Sequence, residues 1–139
     1  LSEHWSDGLR TFQGLTSHGF PNCFFLGFTQ TAITVNVPHA LNEQAKHLAY
    51  VIGQAQKQGQ PTIEPSAIAE DEYVAEIRKT ASTGSRFYAE CTPGYYNSEG
   101  QRGNTAGFFS NMHGAGPVKF FKILEDWRAQ GDMQGLELS

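Results

Sequence analysis

Apolar residues recur every three or four positions after Asn36, and this spacing predicts a helix. Pro38 in the first turn and Asn36 before it are typical of a helix start. Before this helix, an almost continuous apolar run over residues 22–27 indicates a strand buried on both faces, and residues 11–15 form a shorter candidate strand. The inward face of the helix consists of Val37, Ala40, Leu41, Gln44, Ala45, Leu48, Val51, Ile52 and Ala55.

Two further helices follow a Gln-, Gly- and Pro-rich break at residues 56–65. The second starts at the cap residue Ser66, carries acidic residues early and basic residues late, and has Ala69, Tyr73, Ile77 and Ala81 as its apolar stripe. The third runs from Pro117 to about Gln130 and stops at Gly131, with Val118, Phe121, Leu124 and Trp127 inward. The tail, residues 134–139, predicts a last short strand. We therefore expect an α/β fold with three main helices and a few short strands.

Composition narrows the class of protein. The chain has 139 residues, enough for one domain, with 39% hydrophobic and 17% charged residues. Its net charge of -4 gives no basic surface for nucleic acid or anionic lipid. No apolar run reaches the ~20 residues of a membrane span, and no signal peptide is visible. We therefore expect no nucleic-acid partner, no membrane span and a cytoplasmic location.

Metal and nucleophile chemistry has little support in the sequence. The five histidines do not form a recognisable ligand pattern, and no Ser, His, Asp or Cys, His catalytic set stands out. Cys23 and Cys91 are far apart, so one disulfide is open, although a reduced chain is expected. Cys23 is interpreted as a small core residue. Acidic residues lie mostly on predicted helix surfaces, where solvation is the default.

The polar loop at residues 27–36 is the main candidate for a ligand site. It follows a predicted buried strand and leads into a helix amino terminus, where unsatisfied N–H groups and the helix dipole favour electron-rich ligands. It lacks the GxGxxG pattern, and an ordinary connection is the alternative interpretation.

Three segments of the chain together resemble the carboxyl-terminal portion of Baeyer–Villiger-type flavin-dependent monooxygenases. They are SHGFPNCFFLGFTQTAITVNVPHALNEQAKHLAYVI, CTPGYYNSEG and FFKILEDWRAQGDMQGLEL. The resemblance implies that residues 1–56 hold the last strand, loop and helix of a Rossmann-like FAD-binding domain. It also implies that residues 57–139 form the carboxyl-terminal helical and lid segment. The family uses FAD and NADPH to insert oxygen from O2 beside a ketone carbonyl.

The resemblance also implies site residues. Gln30, Thr34, Val35 and Asn36 would lie at the FAD, with backbone N–H groups facing the pyrimidine end of the flavin. The lid would span residues 89–97, where Cys91, Gly94, Tyr95 and Asn97 lie near NADP or the substrate, and its tyrosines would cover apolar ligand surface. A well-packed surface turn is the alternative for this segment.

Several parts of the family's machinery are missing from the sequence. It contains neither dinucleotide fingerprint nor the Arg that the family uses to orient the ketone, so the chain is expected to be inactive as an isolated fragment. Its partner would be the upstream part of the same polypeptide. The alternative from a different class is a stand-alone, non-catalytic α/β interaction module, which would cover its apolar strand edge by self-association into a homo-oligomer. A third reading is a sibling flavoprotein acting on amines or steroids.

Overall fold

The computed structural model describes residues 1–81, 93–94, 99 and 111–139, which form three helices and one two-stranded sheet. The helices are α1 (Val37–Lys57), α2 (Ala67–Thr80) and α3 (Pro117–Gln130). Strand β1 (Ile63–Pro65) pairs antiparallel with β2 (Leu136–Leu138), and Glu64 lies opposite Glu137. The predicted α/β composition, its three main helices and the strand in the tail are confirmed.

The helix boundaries follow the predicted start and stop signals. Asn36 caps α1 and accepts a hydrogen bond from His39 N at 3.2 Å, while Ser66 caps α2 through Ala69 N at 3.1 Å. Gly131 ends α3 in the left-handed conformation, with φ of 77°. These caps satisfy backbone groups that would otherwise lack partners at the helix ends.

The buried faces of the helices differ from the predicted ones. In α1 the buried residues are Ala40, Gln44, His47, Val51 and Ala55, whereas Val37, Leu41 and Ala45 are exposed. In α3 Phe120 is buried and Val118 is 84% exposed. The stripe on α2 includes Glu70 and Val74 beside the predicted Ala69 and Ile77. The sequence pattern assigned every apolar residue of α1 to the buried face. Within the described residues, other parts of the chain cover only one side of this helix.

The predicted strand at residues 22–27 is wrong for this structure. The segment forms neither strand nor helix, Leu26 is 51% exposed, and Cys23 is a half-buried free thiol instead of a core residue. A strand needs a neighbouring strand to bond its backbone. Apart from bonds to the preceding turn and to β1, residues 22–27 make one backbone hydrogen bond within the described residues, in which Leu15 O accepts from Phe25 N at 2.8 Å. The candidate strand at residues 11–15 is a tight turn closed by one bridge between Phe12 and Thr16.

Strand β1 lies inside the segment that was interpreted as a break. Ile63 N donates to Asn22 Oδ1 at 3.0 Å, and Asn22 N donates to Ile63 O at 2.9 Å. Asn22 therefore bonds one edge of β1 while β2 bonds the other. Three residues rich in Pro and Glu carry no periodicity that would reveal such a strand.

Among the described residues, two apolar clusters form the core. One joins Leu15, Val51, Ala55, Ile63, Trp127 and Met133, and the other joins Ala32, Phe120 and Leu124. Helices α1 and α3 pack side by side in the same direction, because His39 meets Phe121 and, further along, His47 meets Trp127. The amino termini of α1 and α3 therefore lie at the same end of the fold. No helix within the described residues is long and apolar enough to cross a membrane.

Candidate functional site

The loop at residues 27–36, here called the 27–36 loop, is fastened to α1 at both ends. At its start, the Gln44 side chain accepts from Gly27 N at 2.7 Å and donates to Gly27 O at 2.9 Å. Thr31 Oγ1 donates to the same carbonyl at 2.9 Å. At its end, Asn36 is the cap of α1. Both ends of the loop are therefore fixed to the same helix, and the residues between them form an arch over it.

Gln30 lies inside the arch. It is 1% exposed, and its side chain accepts from Thr11 Oγ1 at 2.6 Å and donates to Leu9 O at 2.8 Å. Its carbonyl accepts from the Tyr73 hydroxyl at 2.6 Å, and burial raises the pKa of Tyr73. The side chain of Gln30 thus faces the protein interior and fixes the loop. A contact of Gln30 with FAD stays a prediction.

Thr34, Val35 and Asn36 come together at the amino terminus of α1. Thr34 Oγ1 accepts from Asn36 N at 3.2 Å, and the side chain of Val35 is fully exposed at 103%. Within the described part of the chain, no acceptor meets the N–H groups of Val35 and Val37. Unsatisfied N–H groups at a helix start attract electron-rich atoms, and the helix dipole adds to this attraction. Three of the four predicted flavin residues therefore share one open surface.

The back of the 27–36 loop rests on α3 and on the segment before it. His113 N donates to Thr31 O at 3.1 Å, and Ala32 packs on Phe120. The His113 ring lies 5.2 Å from the Phe120 ring and 6.2 Å from the Tyr73 ring, centroid to centroid. Desolvation by burial lowers the pKa of His113, which favours the neutral ring. The loop thus packs, on its buried side, against the uncharged rings of His113, Phe120 and Tyr73.

The front of the loop carries an exposed apolar stretch. Ile33 is 44% exposed and Val35 103%, and in the first two turns of α1 Val37 is 38% and Leu41 40% exposed. Val37 and Leu41 are four residues apart and so share one helix face. Free N–H groups beside apolar side chains suit a flat ring with an electron-rich end. This surface is the candidate functional site.

The predicted lid is described at one of its named residues only. Cys91, Tyr95 and Asn97 lie outside the described residues. Gly94 is half-buried, and its carbonyl accepts from Glu99 N at 3.0 Å. The alternatives for this segment therefore stay as the sequence left them. No group of three or more His, Cys, Asp or Glu side chains that could hold a metal occurs within the described ranges.

Two structurally important polar residues were missed by the sequence interpretation. Gln44 was assigned to an apolar stripe, and a lone amide within such a stripe was the available signal. Glu70 was assigned to a solvated helix surface, yet it is 1% exposed. Its carboxylate accepts from Ser17 Oγ and His18 N, both at 2.9 Å, and lies 3.4 Å from Arg10 Nε. No local pattern distinguishes it from the neighbouring acidic residues.

Curated relatives match the chain almost from end to end. It is 45% identical over 138 residues to neopentalenolactone D synthase of Streptomyces avermitilis, covering 99% of this chain and 23% of the relative. It is 44% identical over 131 residues to a Baeyer–Villiger monooxygenase of Streptomyces coelicolor, covering 94% and 21%. An FAD-binding monooxygenase of Emericella nidulans is 32% identical over 151 residues, covering 100% and 22%. The chain thus spans less than a quarter of these relatives. No protein-family model matches it.

Solved structures give the same result for the fold. Polycyclic ketone monooxygenase from Thermothelomyces thermophila superposes with a TM-score of 0.85 and 30% identity, over 99% of this chain and 22% of that protein. Cyclohexanone monooxygenase from Rhodococcus sp. Phi1, solved with NADP+, gives a TM-score of 0.75 at 20% identity, over 99% and 25%. The chain is therefore homologous to the carboxyl-terminal portion of Baeyer–Villiger-type flavin-dependent monooxygenases, the family that the sequence resemblance predicted.

Proposed function

We propose that this chain is the carboxyl-terminal part of an FAD- and NADPH-dependent monooxygenase that inserts oxygen into a ketone. In this reaction NADPH supplies two electrons, one atom of O2 enters the ester or lactone, and the other atom leaves as water. The observation that carries the proposal is end-to-end similarity to enzymes named as Baeyer–Villiger monooxygenases, of which the chain spans less than a quarter.

The candidate site supports FAD as the cofactor. FAD, when bound, supplies the redox chemistry with O2. The free N–H groups of Val35 and Val37 at the start of α1 fit the electron-rich end of a flavin ring. Thr34 and Asn36 shape this end, and Ile33 offers apolar contact beside it. We propose Gln30 as a residue that positions this surface from behind. Cys91, Gly94, Tyr95 and Asn97 remain the proposed lid residues near NADP or the substrate.

The segment at residues 22–27 supports an upstream partner within the same polypeptide. The N–H groups of Phe25 and Gly27 bond to Leu15 O and Gln44 Oε1, whereas those of Phe24 and Leu26 have no acceptor within the described residues. This alternation is the pattern of an edge strand, and the exposed side chain of Leu26 makes the edge apolar. We propose that a strand of the upstream part pairs here. Residues 1–56 would then complete an FAD-binding domain, with residues 57–139 as its carboxyl-terminal helical and lid segment.

The test compares two purified proteins: the 139-residue chain and the full-length protein that contains it. Both are measured for FAD retained after gel filtration and for NADPH oxidation with a panel of cyclic and polycyclic ketones and a panel of amines. The product is analysed by mass spectrometry after turnover under 18O2. We expect only the full-length protein to retain FAD and to yield an ester or lactone that carries one 18O atom.

The other outcomes separate the alternatives. A full-length protein that binds no FAD, together with a 139-residue chain that forms a stable homo-oligomer, would favour the non-catalytic interaction module. FAD binding with 18O recovered only in oxidised amines would place the protein in a sibling class of flavoproteins. A 139-residue chain that turned over a ketone would contradict the inactivity proposed for the fragment.

A further inference from the structure

The contact between Gln44 and Gly27 is the least expected polar contact in the described structure. Gln44 is 5% exposed, and its amide bonds both the N–H and the C=O of Gly27. The amide therefore reproduces the two hydrogen bonds that a neighbouring antiparallel strand would make. A buried amide is costly unless it is bonded, so both bonds fix the register of this contact.

Because of its position in the fold, this contact controls where the candidate site lies relative to α1. Gln44 lies eight residues after Asn36, about 12 Å along α1 at the usual rise per residue. Gly27 has φ of 127°, a conformation that side-chain-bearing residues rarely adopt, so its backbone turns sharply where Gln44 holds it. Between the two fixed ends of the loop lie the exposed Ile33 and Val35. A shift of Gly27 would consequently move the whole front of the arch relative to the start of α1.

We propose that Gln44 is a positioning residue that holds the backbone of the 27–36 loop in the position at which the bound flavin ring and the ketone substrate meet. The inference rests on the proposed monooxygenase function and adds a residue to it. Gln44 acts through Gly27 and touches neither cofactor nor substrate. Its loss displaces the loop backbone, and a misplacement of about 1 Å costs roughly 100-fold in rate. The electrons of NADPH then reduce O2 to hydrogen peroxide instead of driving oxygen transfer to the ketone.

The test uses the full-length protein and the variants Gln44→Met and Gln44→Glu. Met matches the length of Gln and has no strong donor or acceptor, while Glu keeps an acceptor for Gly27 N. Gln56→Met is the matched control, because Gln56 is an exposed residue on the same helix. The readouts are kcat and KM for the ketone, hydrogen peroxide released per NADPH oxidised, the visible flavin spectrum and Tm.

We expect Gln44→Met to lower ketone kcat about 10- to 100-fold, to raise the peroxide yield and to alter the flavin spectrum. Gln44→Glu has a distinctive signature, since only its protonated form can donate to Gly27 O. Its coupling of NADPH oxidation to product should improve as the pH falls, and that of the wild-type protein and Gln56→Met should not. A residue that served stability alone would lower Tm and leave the peroxide yield and this pH profile unchanged.

Two results keep the inference distinct from the proposed function. A wild-type protein without FAD or ketone turnover removes the proposed function and with it this inference. A coupled wild-type protein whose Gln44→Met variant is equally coupled overturns the inference alone. Where Gln44→Met does not fold, Gln44→Glu serves alone, since its charged form keeps the bond to Gly27 N and lacks a donor for Gly27 O. A folded Gln44→Glu protein whose peroxide yield and flavin spectrum match those of the wild-type protein across the pH range then overturns the inference.

Discussion

Gly114 lies directly against the backbone of Thr80. A Cβ atom added to Gly114 would sit 1.7 Å from Thr80 O, and Gly114 N donates to Thr80 Oγ1 at 3.4 Å. Thr80 is the last residue of α2, and Gly114 lies three residues before α3. The end of α2 and the segment just before α3 therefore meet here at a spacing that only a residue without a side chain allows.

This approach predicts that Gly114→Ala destabilises the protein. The clash is with a backbone carbonyl, which cannot rotate away, so α2 or the segment before α3 must move. We expect the free energy of unfolding to fall by about 1–3 kcal/mol, the usual range for overpacking a tight contact. Urea unfolding followed by circular dichroism measures this change.

The matched control for Gly114→Ala is Gly53→Ala. Gly53 lies inside α1, four residues before its end, and nothing lies within 4 Å of its added Cβ. Alanine there should stabilise the helix by about 0.5–1 kcal/mol because it lowers the entropy of the unfolded chain. Equal effects of the two substitutions would show that the close contact with Thr80 does not exist in solution.

Glu70 anchors the amino-terminal segment to α2. Its carboxylate accepts from Ser17 and from the backbone of His18, and His4 Nε2 lies 3.0 Å from Glu70 Oε2. Glu70→Gln would turn an amide group toward these donors, and we expect a loss of about 2–4 kcal/mol. Trypsin cleavage after Arg10, whose guanidinium contacts Glu70 and Asp71, should accelerate. Glu72→Gln, on the exposed side of the same helix, should change neither measurement.

The elements that the sequence predicted well are those that carry local signals. Asn36, Ser66 and Gly131 mark helix ends through interactions with nearby residues, and the structure confirms all three. The strand at residues 22–27 failed because the described residues offer it no neighbouring strand. Apolar character predicts that a segment will be buried, but the burying surface has to be present for a strand to form.

The sequence predicted which segment forms the candidate site, but it did not predict the side-chain contacts within it. The 27–36 loop and the start of α1 were located by the order of elements and by family resemblance. The inward direction of Gln30 was not, because its partners Leu9 and Thr11 are about twenty residues earlier in the chain. The same limit hid the bond between Gln44 and Gly27. Long-range polar contacts leave no periodicity in a sequence.

The inward direction of Gln30 predicts that this residue serves the loop first. Gln30→Ala removes both side-chain bonds and leaves the buried Thr11 Oγ1, and the carbonyl of the half-buried Leu9, without these partners. We expect a loss of about 2–3 kcal/mol in stability, measured by thermal unfolding of the full-length protein in the absence of added FAD. Asn36→Ala is the comparison, since loss of the helix cap should cost only about 1 kcal/mol. A Gln30→Ala protein with wild-type stability and weaker FAD binding would instead support a direct contact with the cofactor.

His47 predicts a pH dependence of stability. Its ring is buried against Trp127, Nε2 lies 2.7 Å from Gln13 Oε1, and Arg128 Nη1 donates to Nδ1 at 3.4 Å. Burial and then the Arg128 charge lower the pKa of His47 from 6.5 to about 4. Between these values the unfolded chain binds a proton that the folded chain does not, so stability falls as the pH drops from 6.5 to about 4. The difference corresponds to about 3 kcal/mol. Urea unfolding midpoints should fall across this pH range in the parent protein and in His39→Gln, an exposed control. In His47→Gln the part of this pH dependence that comes from His47 should be lost. An unchanged pH dependence in His47→Gln would assign the acid sensitivity to other groups.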